Sequence, residues 1–294
     1  MKTYCVLFNP KSDNGMGKKS AEQLNEILKD GQVEYHDVTA IPPYETFFKE
    51  TLGDNPLVIC GGDGTLNRFI NDTANVRINN DVYYFATGSG NDFLKDIGGE
   101  KGQVVKINDY IKNLPTVYVD GKEYKFLNNV GFGIDGYCCE VGDKLRETTD
   151  KPINYAGIAV KGLLFKYKPT NAKITVDGKT YEFKKVWLAP TMHGRFYGGG
   201  MMPTPEQKRN DPEGTLSVMV MHGGKFSTLL AFPKIFKGEH VNKKKLVSIF
   251  TGKEITVEFD RPVAVQVDGE TILGMTTYTA KAATVAEEKQ EVVA

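Results

Sequence analysis

The stretch Leu57-Val58-Ile59-Cys60-Gly61-Gly62-Asp63-Gly64-Thr65-Leu66-Asn67 decides the reading of the whole chain. An apolar run of strand character empties into three glycines, an aspartate and a threonine, and the pattern then turns helical. Glycines let backbone N–H groups approach an anion with no Cβ in the way, and a helix N-terminus beside such a turn favours negative charge. The turn therefore reads as a phosphate site. Asp63 cannot serve the same anion, but it fits the role of orienting Mg²⁺ or of fixing the loop by accepting its N–H groups. A plain strand-to-helix turn with Asp63 as N-cap needs fewer glycines than this.

Working outward, Tyr4-Cys5-Val6-Leu7-Phe8 is an earlier apolar run, ended by Asn9-Pro10 and the polar loop Lys11 to Gly17. Ala21, Leu24, Ile27 and Leu28 follow at helical spacing, Gly31 stops them, and Val33 to Val38 resumes an extended pattern. Pro42-Pro43 opens a second helical stretch through Phe47, Phe48 and Leu52. Downstream, Val82 to Ala86 is a strand that empties into Thr87-Gly88-Ser89-Gly90-Asn91-Asp92 before Phe93-Leu94 begins a helix. Alternation of this kind predicts a mostly parallel sheet with helices on both faces. Ligands in such sheets bind at strand C-termini, so the loops at 9–17, 61–67 and 87–92 are expected to converge on one crevice.

After about residue 115 the pattern changes. Asp120-Gly121 and Asp177-Gly178 each separate two runs of alternating character, a hairpin signal. Val186 to Ala189, Thr215 to Met221, Leu246 to Phe250, Ile255 to Phe259 and Val263 to Val267 add strands. Helical stretches over 135–146, 152–167 and 226–236 interrupt them. The expected architecture is an α/β nucleotide-binding domain over 1–127, three-layered, then a β-rich antiparallel sandwich domain over 128–280 with a few helices, and a frayed tail over 281–294.

The 37 basic and 37 acidic residues balance, so no net field steers the chain to nucleic acid or anionic lipid. Cys5 and Cys60 lie in apolar runs and Cys138-Cys139 are adjacent, without metal-like spacing, which points to reduced thiols in a cytoplasmic protein. No apolar run is long enough to span a bilayer, so any membrane contact is peripheral.

The ordered set of motifs resembles the diacylglycerol kinase catalytic-domain family, in particular its bacterial soluble lipid kinases. The resemblance rests on Asn9-Pro10 with its Ser/Gly loop, Gly61 to Asn67, and Gly88-Ser89-Gly90-Asn91-Asp92-Phe93. Asn128 to Asp135, Ala189-Pro190, Tyr197-Gly198-Gly199-Gly200 and Asp268-Gly269-Glu270 complete it. It implies an ATP-dependent lipid kinase that phosphorylates the hydroxyl of diacylglycerol or a related lipid at the bilayer surface, with Mg²⁺ and an active site between two domains. A homodimer is compatible with it; a nucleic-acid partner is not expected.

By the same resemblance, Asn9, Pro10, Lys11, Ser12, Asp13, Thr39, Gly62, Asp63, Gly64, Thr65, Leu66, Asn67, Arg68 and Ser89 are expected to contact ATP. Asp63 would organise Mg²⁺ and phosphate, and Asp268 or Glu270 would take the proton of the acceptor hydroxyl. Two carboxylates at i and i+2 around a Gly turn can share charge, which raises the proton affinity of one; Asp-Gly is also an ordinary hairpin turn. Asn210, Glu213 and Thr215 stand where the family has a second, structural Mg²⁺, with Glu213 in the place of a shorter Asp, and Arg68 stands where an acidic residue is common. The Gly-Gly-Asp-Gly-Thr signature is shared with NAD kinases, which leaves a soluble-metabolite kinase as an alternative, although Asn91-Asp92-Phe93 differs from their Asn-Glu pair. The other alternative is an inactive nucleotide- or lipid-binding regulator, against which the retained acids Asp63, Asp268 and Glu270 argue.

The Lys151 to Lys168 stretch, apolar and basic, reads either as a lipid-facing surface or as a core helix with lysines in water. His193 and His222 have no evident partner in sequence.

Overall fold

The two apolar runs that end in glycine loops become neighbouring parallel strands in a computed structural model describing residues 2–88, 91–149 and 153–283. The first sheet comprises β1 (Lys2–Phe8), β2 (Gly31–Asp37), β3 (Leu57–Gly61), β4 (Val82–Ala86) and β5 (Val104–Lys106), in the order β2-β1-β3-β4-β5. All pairings are parallel except β4 with β5. Alternate residues of β1 and β3 enter different cores. Cys5, Leu7, Leu57 and Ile59 meet Phe47, Leu52, Leu66 and Phe69 on one face, while Tyr4, Val6, Val58 and Cys60 meet Ala21 and Leu24 on the other. A strand covered on both faces is what an uninterrupted apolar run encodes, and the result is the three-layer α/β unit the sequence predicts.

The second sheet takes β6 (Thr116–Val119), β7 (Lys122–Lys125), β8 (Asn129–Gly133), β9 (Thr170–Val176), β10 (Lys179–Met192), β11 (Leu216–His222), β12 (Val247–Gly252), β13 (Glu254–Val267) and β14 (Glu270–Lys281). Its order is β12-β11-β10-β8-β13-β14-β6-β7, with β9 also pairing β10 and β13, and every pairing is antiparallel. The long strands β10 and β13 each shift register midway, so that one half pairs with β8 and the other with β9. This folds the sheet over a core containing Phe132, Ile174, Val257, Phe259 and Tyr278. The helix Ile134–Arg146 and the segments around Leu163 and Ile235 cover an outer face. The fold is thus an α/β unit followed by a β-rich antiparallel one with few helices.

Several boundaries fall elsewhere than the sequence reading puts them. The β6–β7 hairpin, on the first-domain side of 127 in that reading, pairs through β6 with β14 of the second sheet. Lys281, expected to begin the tail, closes β14 opposite Glu254; 284–294 lie outside the described residues. Ile255 to Phe259 and Val263 to Val267 are one strand, because the Asp260-Arg261-Pro262 interruption sits at its register shift, where a proline costs no ladder bond. Among the described residues no helix is long and apolar enough to cross a membrane.

Candidate active site

Glycine brings the ends of β3 and β4 together. A Cβ on Gly88 would lie 2.8 Å from the Cα of Gly62, so the two loops touch backbone to backbone. From the first loop, Asp63 opens the helix Asp63–Asp72, yet its carboxylate does not cap that helix. Its Oδ2 accepts instead from the N–H groups of Asp92 (2.7 Å) and Phe93 (3.4 Å), at the start of the helix Asp92–Asp96. Asp92 in turn accepts from the N–H of Gly199 (2.8 Å), in a Gly198-Gly199-Gly200 turn whose residues all have positive φ. Asp63 Oδ1, Asp92 Oδ1 and Asn91 Oδ1 are buried and lack a hydrogen-bond partner.

Burial pushes the Asp63 carboxyl up to about 6 and Asp92 up to about 7, with the Asp268 charge adding to the first shift and the Asp63 charge to the second. Bare carboxylate oxygens held out of water call for a cation. A hard divalent ion with oxygen ligands fits this donor set.

Asp268 comes to the same place from the second sheet. Asp268-Gly269 is a two-residue hairpin turn with both residues at positive φ, like Asp120-Gly121 and Asp177-Gly178. Only at Asp268 does the side chain cross to the other unit, where Asn67 Nδ2 donates to its Oδ2 at 2.7 Å. The N–H groups of Leu127, Asn128 (2.7 Å) and Asn129 (2.9 Å) also donate to it. Burial raises its proton affinity against these donors, and Glu270 is not among the causes. The charge-sharing pair the sequence suggests is therefore not formed: four donors occupy Asp268, while Glu270 stands exposed across the turn, its backbone paired with Val267. Beside Asn67, Asn71 exchanges two bonds with the backbone of Lys125, at 2.9 and 2.8 Å, and docks the helix on β7.

A buried arginine that the sequence reading passes over holds this junction from behind. Arg209 donates to Asp96 Oδ2 (2.9 Å), Asn128 Oδ1 (2.7 Å) and the carbonyl of Leu127, with its guanidinium 4.9 Å from the Phe93 ring centre. Arg195 holds the other oxygen of Asp96 at 2.9 Å. His193 does have a partner: its Nδ1–H donates to Leu127 O at 3.0 Å, and burial, with Arg209 next, depresses its pKa to about 3, so it is neutral. No spacing signal marks Arg209, since the partners named here come from two segments far from it in sequence, 93–96 and 127–128.

The expected nucleotide contacts divide by exposure. Asn9, Pro10, Lys11, Ser12 and Asp13 form the loop after β1, where Asn9 Oδ1 accepts from Lys11 N–H at 2.9 Å and a Cβ on Gly17 would strike Asn9 O at 1.9 Å. Gly64 and Thr39 are exposed, and Thr39 donates to Asp37 at 2.7 Å. Thr65 sits against Gly61, whereas Leu66 is in the core, so only its backbone can meet a ligand. Arg68 points outward and pairs with Asp72 at 3.4 Å. Ser89 lies outside the described residues. In the 210–215 loop, Asn210 and Glu213 are exposed; Thr215 donates its hydroxyl to Asp211, not to Glu213, because Glu213 follows Pro212 outward. Asn210, Asp211, Thr215, His193 and Arg209 line a cleft of about 240 Å³.

Residues 3–120 match the family described as diacylglycerol kinase catalytic domain, and residues 128–286 match the YegS C-terminal NAD kinase beta sandwich-like domain. The chain belongs to the family of the YegS C-terminal NAD kinase beta sandwich-like domain, with its diacylglycerol kinase catalytic domain match ahead of it. Among its relatives are the Bacillus subtilis (strain 168) protein YtlR, 25% identical over 310 residues, with 95% of this chain and 96% of that one covered. A diacylglycerol kinase of the same organism is 24% identical over 281 residues, covering 92% of this chain and 90% of the relative. In fold the chain is similar to a crystal structure of a diacylglycerol kinase from Bacillus anthracis strain Sterne, with a TM-score of 0.60 at 19% identity, over 96% of this chain and 94% of that one. A diacylglycerol kinase catalytic domain implies ATP as the phosphate donor.

Proposed function

We propose that this chain transfers the γ-phosphoryl group of ATP to the hydroxyl of diacylglycerol or a closely related membrane lipid. The observation that carries the reading is the set of buried, partnerless oxygens on Asp63, Asp92 and Asn91, at glycine-lined strand ends that also face Asp268 of the second unit. Phosphoryl transfer asks for positioning and neutralisation of charge more than for covalent chemistry. The Gly62 and Gly88 turns offer backbone N–H groups to the phosphates, and the loop from Asn9 to Asp13 closes over the nucleotide. Mg²⁺ held by Asp63 and Asp92 would supply neutralisation of the phosphate oxygens. Asp268, with its four donors, positions Asn67 and the 127–129 backbone. Glu270, with free lone pairs at the exposed end of the same turn, takes the proton of the attacking hydroxyl. In the 210–215 loop, a second cation would draw on Asp211 and Thr215.

A lipid acceptor is supported by the outer face of the second unit. Phe165, Phe226 and Leu230 are 77%, 77% and 76% exposed, and Phe226 and Leu230 share one side of the helix Lys225–Ala231. Lys225 donates to Leu164 O and lies 5.9 Å from the Phe165 ring centre, which sets that ring beside the helix. Lys161, Lys166, Lys168 and Lys237, all exposed, lie on the same run of adjoining segments. Ala159 and Leu163 face inward, so the stretch is both core and surface. Exposed apolar side chains with lysines on the same segments match the apolar interior and anionic headgroups of a bilayer.

Purified chain with radiolabelled ATP, Mg²⁺ and diacylglycerol mixed micelles is expected to give labelled phosphatidic acid; label appearing in NAD⁺ alone would end the lipid reading. Phe226→Asp with Leu230→Asp is expected to abolish cosedimentation with phosphatidylglycerol vesicles while leaving turnover of a short-chain, water-soluble diacylglycerol intact. Unchanged vesicle binding would remove this face from the account.

A further inference from the structure

Away from the acids just described, on the edge of the first sheet, three metal-ligating side chains meet. Cys5 on β1 is the register partner of Glu34 on the edge strand β2, and His36 lies two residues further along β2. Partners across a parallel pair share a face, as do residues i and i+2 of one strand, so all three side chains project to the same side. The Cys5 sulfur, a Glu34 carboxylate oxygen and a ring nitrogen of His36 all lie within 4.8 Å of one another. Among the described residues no other group of three such side chains comes this close.

The surroundings favour a cation over a chance meeting. His36 Nε2 is buried with no hydrogen-bond partner, and the Phe47 ring stands edge-on to the imidazole at 5.2 Å, fixing its plane. Burial lowers the pKa of that imidazole, which keeps its lone pair available. Cys5 is a free thiol, fully buried in the core that contains Phe47 and Leu52. Glu34 is exposed on the edge strand, which leaves the cluster open to solvent on that side.

We propose that Cys5, Glu34 and His36 form a binding site for a zinc-class divalent cation, distinct from the Mg²⁺ chemistry of the kinase site. Sulfur, nitrogen and one carboxylate suit a borderline-soft ion in a three-ligand, open tetrahedral site, and exclude Mg²⁺, which requires oxygen ligands. As the sulfur–metal bond forms, the thiol proton goes to solvent; burial, which holds that thiol up at about 11, makes its release the costly part of binding. The bound ion ties β2 to β1 just ahead of Val38 and Thr39, where the chain turns toward the nucleotide loops.

The test uses the full chain stripped with chelator and titrated with Co²⁺. One equivalent should produce a thiolate-to-cobalt charge-transfer band that Zn²⁺ displaces and excess Mg²⁺ does not. Cys5→Ser is expected to remove the band. His36→Gln and Glu34→Gln should lower affinity by more than the roughly tenfold that losing an outer partner of a metal costs. Cys60→Ser and the Cys138→Ser/Cys139→Ser pair should keep the band. If Cys5→Ser fails to fold by circular dichroism, Glu34→Gln at the exposed rim decides by itself. No band in the unmodified chain, a band that survives Cys5→Ser, unaltered affinity in Glu34→Gln, or loss of the band with Cys138 and Cys139 each overturns the proposal. Because the readout is optical, its failure leaves the kinase reading untouched.

Discussion

Asp63 and Asp92 each give one oxygen to backbone N–H groups and leave the other bare, so both resist ionisation in the folded chain. An ordinary Asp ionises near ~3.9, while burial lifts these to about 6 and about 7. Between those limits the folded chain binds protons that the unfolded chain has released, so stability falls as pH rises through the window and is lowest above both folded values. Asp92→Asn without metal is therefore expected to unfold about 1–3 kcal/mol later than the parent at pH 8 and no later at pH 4, by urea titration. The same variant should lose about 100-fold or more of phosphoryl transfer. A variant less stable at pH 8 would contradict the assignment. Asp268→Asn turns an NH₂ toward backbone donors and is expected to cost about 2–4 kcal/mol, whereas Glu270→Gln should fold normally, bind ATP and turn over poorly. Sequence could pick out Asp63 because it sits in a glycine turn with a short local signature, whereas Asp268 stands out only by the order of family motifs. It could not distinguish Asp268 from Asp120 and Asp177, since all three open the same hairpin turn and only the partner Asn67, 201 residues away, differs.

Between elements, the contact of Gly62 with Gly88 is the most demanding. Gly88→Ala drives a Cβ to 2.8 Å from backbone that cannot yield like a flexible side chain. The two loops must separate, and ATP affinity measured by calorimetry is expected to fall about 10- to 100-fold. Periodicity located β1 and β3 because both of their faces are buried, which writes an unbroken apolar run, but it did not mark the three-residue β5. It missed β8, which is wholly buried but carries Gly131 and Gly133, and so reads as a loop: a Cβ on Gly131 would strike Pro190 at 2.9 Å. It missed β14 too, whose exposed threonines and Gly274 blur the alternation.

At the scale of the whole molecule, Asp96 of the first unit is held by Arg195 and Arg209 of the second, and Arg209 continues to the Leu127 carbonyl and the Asn128 side chain between them. Arg209→Met strips a buried carboxylate of one of its two cations, with an expected cost of about 3–5 kcal/mol. Fluorescence and circular dichroism should then report unfolding transitions that no longer coincide, since the link between the units is weakened; a single coincident transition at the parent's midpoint would show that the arginine carries no such load. Length and motif order made two units legible in advance, but this latch was not, being assembled from residues scattered over the chain. The β6–β7 hairpin adds a practical consequence for anyone cutting the protein in two. A scissile point chosen at 127 takes these strands away from Thr279 to Lys281, leaving the rear fragment with a bare border that any passing chain can pair with. Fragments for crystallisation or binding work should therefore part before Thr116, so that the later piece keeps its own selvage.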